Sequence, residues 1–331
     1  MDIMKVAVLV LPGVLDLSLG ITLDVMTSAN RLRNVAGLEP LFEFSLVGTG
    51  RRRERSGAGM EVGLLGRMSD QLRPDLLVLP GANRVNRAEL GPWLDSVEVA
   101  RAGAWVREVV AGGAHLAASC VSTFALAQSG VLDGHAATTS WWLAPFFRER
   151  FPHVDLDMDR MVVSDGPIST AGAALAHADL MLALVARWGS DELARNCARY
   201  LMLDHRVTQS RYAIPTHVAR QSPLLQKADR WIQAHLAEPM TLARLADALH
   251  MTPRTLARHF SAAIGMSPIQ YVQRLRLERA TLLLETGSEP LDVVAARVGY
   301  ADASMLRKLL LRERGVTPGM VRPRRTRTRT A

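Results

Sequence analysis

Cys120 is the residue whose surroundings most suggest chemistry. The run Gly112-Gly113-Ala-His-Leu-Ala-Ala-Ser119-Cys120 reads as a small-residue strand that turns sharply into a helix over Val121–Gln128. Such a turn can hold a nucleophile on strained backbone, and a helix N-terminus behind the sulfur favours negative charge there. A cysteine at the same place can equally be a small buried hydrophobe. Turnover needs a base within hydrogen-bond reach and a group to orient it. His115, His135, His153 and His177 are available, and none has a spacing that demands catalysis. The cysteines, Cys120 and Cys197, form no disulfide framework, which suits a reducing compartment. Histidines and cysteines lack paired ligand spacing, so neither a metal nor a cofactor is expected.

A second group of residues points to another chemistry. The 331-residue chain has a formal charge of +8. From Val218 to Ala331 there are 19 Lys and Arg against 9 Asp and Glu; from Met1 to His217 there are 21 against 23. The excess therefore sits in the last third, as a nucleic-acid footprint would. Arg254, Thr255, Arg258 and His259 fall on one predicted helix. Ser304, Arg307 and Lys308 fall on another. Residues at the start of such helices can meet base edges in a major groove, with phosphate contact the alternative for Arg258 and His259. Arg322, Arg324, Arg325, Arg327 and Arg329 make a basic tail that reads as solvated and suited to salt-sensitive phosphate attraction.

Two kinds of element must position these residues. In the first two hundred positions, apolar strand candidates (Lys5–Leu11, Phe42–Gly48, Asp75–Pro80, His115–Ser119) alternate with helical stretches at Leu17–Asn30, Leu90–Val110 and Val121–Gln128. That alternation predicts a three-layer α/β domain with a mostly parallel sheet, closed by a helix over Leu182–Leu203. The segment His205–Pro223 is polar and proline-containing and reads as a linker that can fold back onto the sheet domain, with Arg206, Gln209 and Arg211 as solvated side chains or linker contacts. After Leu224 strand signals vanish. Thr241 caps a helix, His250-Met251-Thr252 makes a tight connection, and Pro253 suits the first turn of the next helix. Leu245, Ala246, Leu249, Met251, Leu256 and Phe260 are its expected core. Leu291–Val298, Gly299-Tyr300 and an Asp302-capped helix repeat the arrangement, with Met305, Leu306, Leu309 and Leu310 expected inside. Gly265-Met266-Ser267-Pro268 and Gly315-Val316-Thr317-Pro318, 50 residues apart, echo one another and mark a duplicated unit. One long helix over Ile269–Glu285 joins the two.

The segments LVLPGVLDLSLGITLDVM, DLLVLPGA, AASCVSTFALAQSGVLDGHAATTSWW and SDGPISTAGAALAHADLML resemble the DJ-1/PfpI class of the class-I glutamine-amidotransferase-like folds, over about Val6–Ala186. In that class the cysteine of the sharp turn is a nucleophile or an oxidation-sensitive thiol, and Cys120 matches it. Where enzymatic members often place a histidine, this chain has Ser140. Where sulfur-reactive members place an acid, it has Ser18, with Asp16 two residues away. The resemblance thus implies a sensing or dimerising unit, not an enzyme. Residues Ala228–Pro323 resemble the AraC/XylS-type DNA-binding domain through MTLARLADALHMTPRTLARHFSAAIGMSPIQYVQRLRLERATLLL and LDVVAARVGYADASMLRKLLLRERGVTPGMVR. The Gly299-Tyr300 pair matches a hallmark turn, and Leu306 replaces the common phenylalanine. The domain order resembles the GlxA family of bacterial regulators.

The expected protein is a cytoplasmic, sequence-specific transcriptional regulator without a membrane segment. Residues 1–204 form the DJ-1/PfpI-like domain, 205–223 a linker, 224–321 a double helix-turn-helix domain and 322–331 a disordered basic tail. Its partners are double-stranded operator DNA, a second copy in a homodimer, a small-metabolite effector and RNA polymerase. Asp16, Cys120 and Ser140 are the ligand-binding set. The competing readings are a Cys120-dependent hydrolase, amidase or redox sensor coupled to DNA binding, and a nonspecific architectural DNA-binding protein.

Overall fold

A computed structural model describes residues 3–50, 52–68, 72–204, 206, 208, 209, 212, 222–264 and 266–322. The chain divides into two compact units, 1–210 and 211–331. Arg211, Gly265 and the arginines beyond Arg322 lie outside the described residues.

The first unit is built on a seven-stranded sheet. Its strands are β1 (Met4–Val10), β2 (Phe42–Gly48), β5 (Gly66–Arg67), β6 (Leu76–Leu79), β7 (His115–Ser119), β10 (Val162–Asp165) and β11 (Ile168–Ala171), in the order β10-β11-β7-β6-β1-β2-β5. All pairings are parallel except the β10–β11 hairpin. Val6–Val10 and Leu76–Leu79 are buried throughout, as continuous apolar strands covered on both faces must be. One face packs on α2 (Arg87–Leu94), α3 (Val97–Ala111), α4 (Ser122–Gln128) and α5 (Ala144–Arg150); the other packs on α1 (Asp16–Val35), α6 (Ala176–Trp188) and α7 (Asp191–Tyr200). Two expected helices are each broken in two. Ser96 ends the first half of Leu90–Val110 and caps α3 by accepting from the Val99 amide. Ser190, after Gly189, does the same for α7 through Leu193. Apolar periodicity runs across both breaks and conceals them; the capping serines were the available signal. The hairpin of β3 (Arg53–Arg55) and β4 (Glu61–Gly63), and the short parallel pair of β8 (Ala136–Ala137) and β9 (Asp155–Leu156), were not anticipated. They are two or three residues long, too short to establish an alternation.

The second unit is helical among its described residues: α8 (Pro223–Ala234), α9 (Leu242–Ala248), α10 (Pro253–Ile264), α11 (Pro268–Thr286), α12 (Leu291–Arg297), α13 (Ala303–Arg314) and α14 (Pro318–Val321). It has two cores. Leu225, Ala228, Ile232, Leu245, Leu256 and Phe260 form one, and Val294, Ala295, Val298, Tyr300, Leu306 and Leu310 form the other. Helix α11 serves both, giving Tyr271, Val272 and Leu275 to the first and Leu277, Ala280 and Leu284 to the second. A capping box at Ser267 and Gln270 starts it. Met305, expected inside, is 45% exposed. The three- and four-residue spacing from Leu306 to Leu309 and Leu310 fills the inner face without it.

Candidate functional site

Strand β7 delivers its last residue, Ser119, to the sheet edge, and the chain reverses at Cys120 with φ +56. A left-handed conformation costs a non-glycine residue about 1–2 kcal/mol, so the surroundings must hold it. The Cys120 amide donates to the Ala171 and Gly172 carbonyls at 3.0 and 2.8 Å. Its carbonyl accepts the Thr139 hydroxyl at 2.6 Å. The thiol lies 3.0 Å from Ser140 Oγ, and both residues are buried. Ser122, in the first turn of α4, donates to the Pro80 carbonyl at 2.6 Å and ties the elbow to the end of β6.

Gly81 follows that strand. A Cβ there would stand 3.1 Å from both Cys120 Cβ and Ser18 Oγ, so the glycine brings the two residues to either side of one tightly packed point. Ser18 is buried, and its hydroxyl has no hydrogen-bond partner among the described residues. The sequence therefore brings Cys120, Ser140 and Ser18 together around Gly81. The Asp16 carboxylate accepts from the Ala58 amide at 2.9 Å. A hydrogen bond from the Ser56 hydroxyl, helped by Ala58, holds it below the ordinary carboxylate range. Asp16 thus fastens the β3–β4 hairpin to the start of α1.

His115, His135 and His177 are each engaged by residues other than Cys120. His115 meets the Trp188 ring edge-on at 5.2 Å, and His135 pairs with Asp165 at 3.1 Å. His177 is fully buried. Its Nε2 is 2.6 Å from Thr22 Oγ1 and its Nδ1 is 2.8 Å from Ser119 Oγ. Since the Thr22 hydroxyl already donates to the Ser18 carbonyl, Nε2–H must donate to Thr22, leaving Nδ1 to accept from Ser119. Burial pushes the His177 pKa down to about 3, so it is a neutral link between β7, α1 and α6. Among the described residues, no group of three or more His, Cys, Asp or Glu is placed to hold a metal ion.

The expected DNA-facing residues share two surfaces. Arg254, Arg258 and His259 are exposed on α10, and Thr255 is half-buried, its hydroxyl accepting from Thr252 at 2.9 Å. Ser304, Arg307 and Lys308 are exposed on α13. Asp302 caps that helix, accepting from the Met305 amide at 2.9 Å. The turns before α10 and α13 match. Met251 donates to Ala246 and Tyr300 to Ala295, both at 2.9 Å, around a left-handed residue, His250 (φ +56) in one and Gly299 (φ +86) in the other. Arg276, which sequence reasoning missed, packs behind the second turn. It is 9% exposed, donates to the Leu236 and Glu238 carbonyls at 3.0 and 2.6 Å, and lies over the Tyr300 ring. A Cβ at Gly299 would stand 2.6 Å from both Leu236 O and Arg276 Nη2, so this glycine meets both a conformational and a spatial need. Arg276 is one of three arginines in α11, with Arg274 and Arg279, and nothing in the sequence singles it out.

The chain belongs to the DJ-1/PfpI family, whose profile matches residues 4–187. A helix-turn-helix domain profile matches residues 245–324. An AraC/XylS-type DNA-binding domain fused to a DJ-1/PfpI-like domain is the GlxA-type architecture, and the chain is a sequence-specific DNA-binding transcriptional regulator. It is 28% identical over 324 residues to the HTH-type transcriptional regulator ArgR of Pseudomonas aeruginosa, covering 95% of this chain and 91% of that one. It is 28% identical over 204 residues to the HTH-type transcriptional regulator GlxA of Rhizobium meliloti, covering 61% of this chain and 63% of that one. A THiJ/PfpI family protein from Pseudomonas syringae superposes with a TM-score of 0.53 at 18% identity, over 75% of this chain and 91% of that one, and shares the fold. No helix among the described residues is long and apolar enough to cross a membrane.

Proposed function

We propose that this regulator reads paired operator half-sites with two helix-turn-helix units, under the control of a small metabolite sensed by its DJ-1/PfpI-like unit, which also forms a homodimer. The repeated helix pair carries the reading. Helices α10 and α13 follow turns of the same hydrogen-bonding pattern, and each exposes polar and cationic residues in its first two turns. Arg254 and Thr255 on α10, and Ser304 and Arg307 on α13, are the base-reading residues. Arg258, His259 and Lys308 hold phosphates. RNA polymerase is the further partner of an activator bound in this way.

The sensing unit works without turnover. Its thiol is bonded to a serine hydroxyl, which cannot replace an imidazole base, and His177 faces Ser119 instead of the sulfur. Cys120, Ser140 and Ser18 are the ligand-facing set. The strained backbone at Cys120 favours a second reading, a Cys120-dependent hydrolase, amidase or redox sensor coupled to DNA binding. Hydrolytic turnover, or oxidant-dependent operator binding, abolished by Cys120→Ala would support it.

The test is selection of bound genomic fragments by the full-length protein, then footprinting at near-physiological salt with and without a small-molecule extract of the source cells. Two half-sites of defined direction, with protection altered by the extract, are expected. Diffuse, purely salt-dependent protection under both conditions would overturn the reading.

A further inference from the structure

The polar stretch that opens the expected linker is not solvated where it is described. Arg206 donates through Nη2 to Asp179 Oδ2 and to the Leu175 carbonyl, both at 2.6 Å. The Asp179 side chain is 6% exposed and that of Arg206 20%. Burial pushes the Asp179 carboxyl up, and the Arg206 guanidinium opposes the shift. Thr208 bonds to the Asp159 carbonyl and carboxylate at 2.8 and 2.9 Å, and the Gln209 amide donates to the same carbonyl at 2.9 Å. Gln209 itself is 2% exposed.

The seat of Gln209 is made from the residues that hold Cys120. Its Nε2 lies 2.6 Å from Thr138 Oγ1, and either amide orientation keeps Thr138 as its partner. The next residue, Thr139, holds the Cys120 carbonyl, and the next, Ser140, holds the thiol. On the other side, Gly172 accepts the Cys120 amide, and a Cβ on Gly172 would collide with the Gln209 side chain. Thr138, Thr139 and Ser140 are fully buried, so they cannot shift independently in a close-packed interior. A second path runs through α6, where His177 receives Ser119 and Asp179 receives Arg206.

We propose that Arg206, Thr208 and Gln209 form a catch controlled by the Cys120 elbow: a ligand that separates Ser140 from Cys120 also moves Thr138 and frees Gln209, releasing the chain segment that leads to the DNA-binding unit. The biological use of this catch rests on the elbow being the sensing site. The coupling itself does not, and it is reciprocal, so freeing the catch must also loosen the elbow.

The experiment uses the full-length protein, two test variants and a control. Gln209→Ala removes the bolt, and Gly172→Ala fills its seat. Arg195→Lys, at an exposed position of α7 outside the catch, is the control. Hydrogen exchange is followed across 136–142 and 204–210, and Cys120 alkylation by iodoacetamide is followed by mass spectrometry. Both test variants should speed exchange at 204–210, and both should speed exchange at 136–142 and Cys120 alkylation by at least about fivefold, the low end of ordinary coupling. Arg195→Lys should stay near wild type. Faster exchange at 204–210 with unchanged alkylation and unchanged exchange at 136–142 would overturn the coupling. Unchanged exchange at 204–210 would overturn the catch. Exchange across β1 and β6 reports on folding; if Gly172→Ala disturbs it, Gln209→Ala, which only creates space, decides the result. If Cys120 responds while affinity for the selected operator stays constant, the catch stands and the sensing reading falls.

Discussion

At the residue scale, the thiol and its serine were legible because they lie within one continuous motif, Ser119-Cys120 to Ser140. Asp16, two residues from Ser18, gives one carboxylate oxygen to the Ala58 amide, a contact that nothing local in the sequence reveals. His177 was one of four undistinguished histidines, because nothing local reveals that a residue 58 positions after Ser119 will meet it. Its burial yields a pH prediction. The folded pKa of about 3 lies below the ordinary 6.5, so the unfolded chain binds the extra proton between those values. Stability must therefore fall as pH falls through that window, by up to about 1.4 kcal/mol per unit. Urea unfolding of wild type and His177→Gln between pH 7 and pH 4 measures this, and the variant should show a shallower decline. At the other site, Arg254→Ala should weaken operator binding by about 1–3 kcal/mol and relax the base preference it reads, as competition binding against single-base operator variants would show. Loss spread evenly over all sequences would reassign Arg254 to phosphate.

At the element scale, the two helix pairs differ at the left-handed position of the turn. His250 adopts a conformation that glycine takes freely, and Gly299 has the glycine. His250→Gly should stabilise the first pair by about 0.5–1 kcal/mol, the relieved strain being partly offset by greater unfolded-chain entropy. Gly299→Ala should destabilise the second by about 2–3 kcal/mol, since strain and collision with the Leu236 carbonyl add. Hydrogen exchange at Val294–Val298 and Leu245–Leu249 resolves the two effects. The likeness of the two helix pairs was suggested by a tetrapeptide echo together with apolar spacing, and the Thr241 and Asp302 caps were readable from local sequence. Caps act locally, so sequence reveals them. Arg276 was not readable, because its partners Leu236 and Glu238 lie about forty residues away, and a helical arginine usually means a solvated face. At Arg206 and Gln209 polarity and chain position suggested a linker able to fold back onto the sheet domain; both residues make such contacts, but their partners, far away in sequence, were not readable.

At the scale of the whole molecule, charge is divided as function is. The excess of cations lies after Val218, so operator binding should weaken steeply with salt. Removal of residues 323–331 should reduce the slope of log affinity against log salt by up to about 0.9 for each arginine that neutralises a phosphate. A titration series from low to physiological salt gives both slopes, and identical slopes would leave the tail without a phosphate role. The central claim is that the two helix pairs of each chain read two separate segments within each operator half-site. Its most direct measurement is equilibrium binding of wild type, Arg254→Ala and Arg307→Ala to the intact operator, and to operators in which one segment or the other is scrambled in both half-sites. The account predicts that each variant becomes insensitive to scrambling one segment and keeps its sensitivity to the other. Equal sensitivity of both variants to both scrambled segments, or indifference of wild type to either, would contradict it.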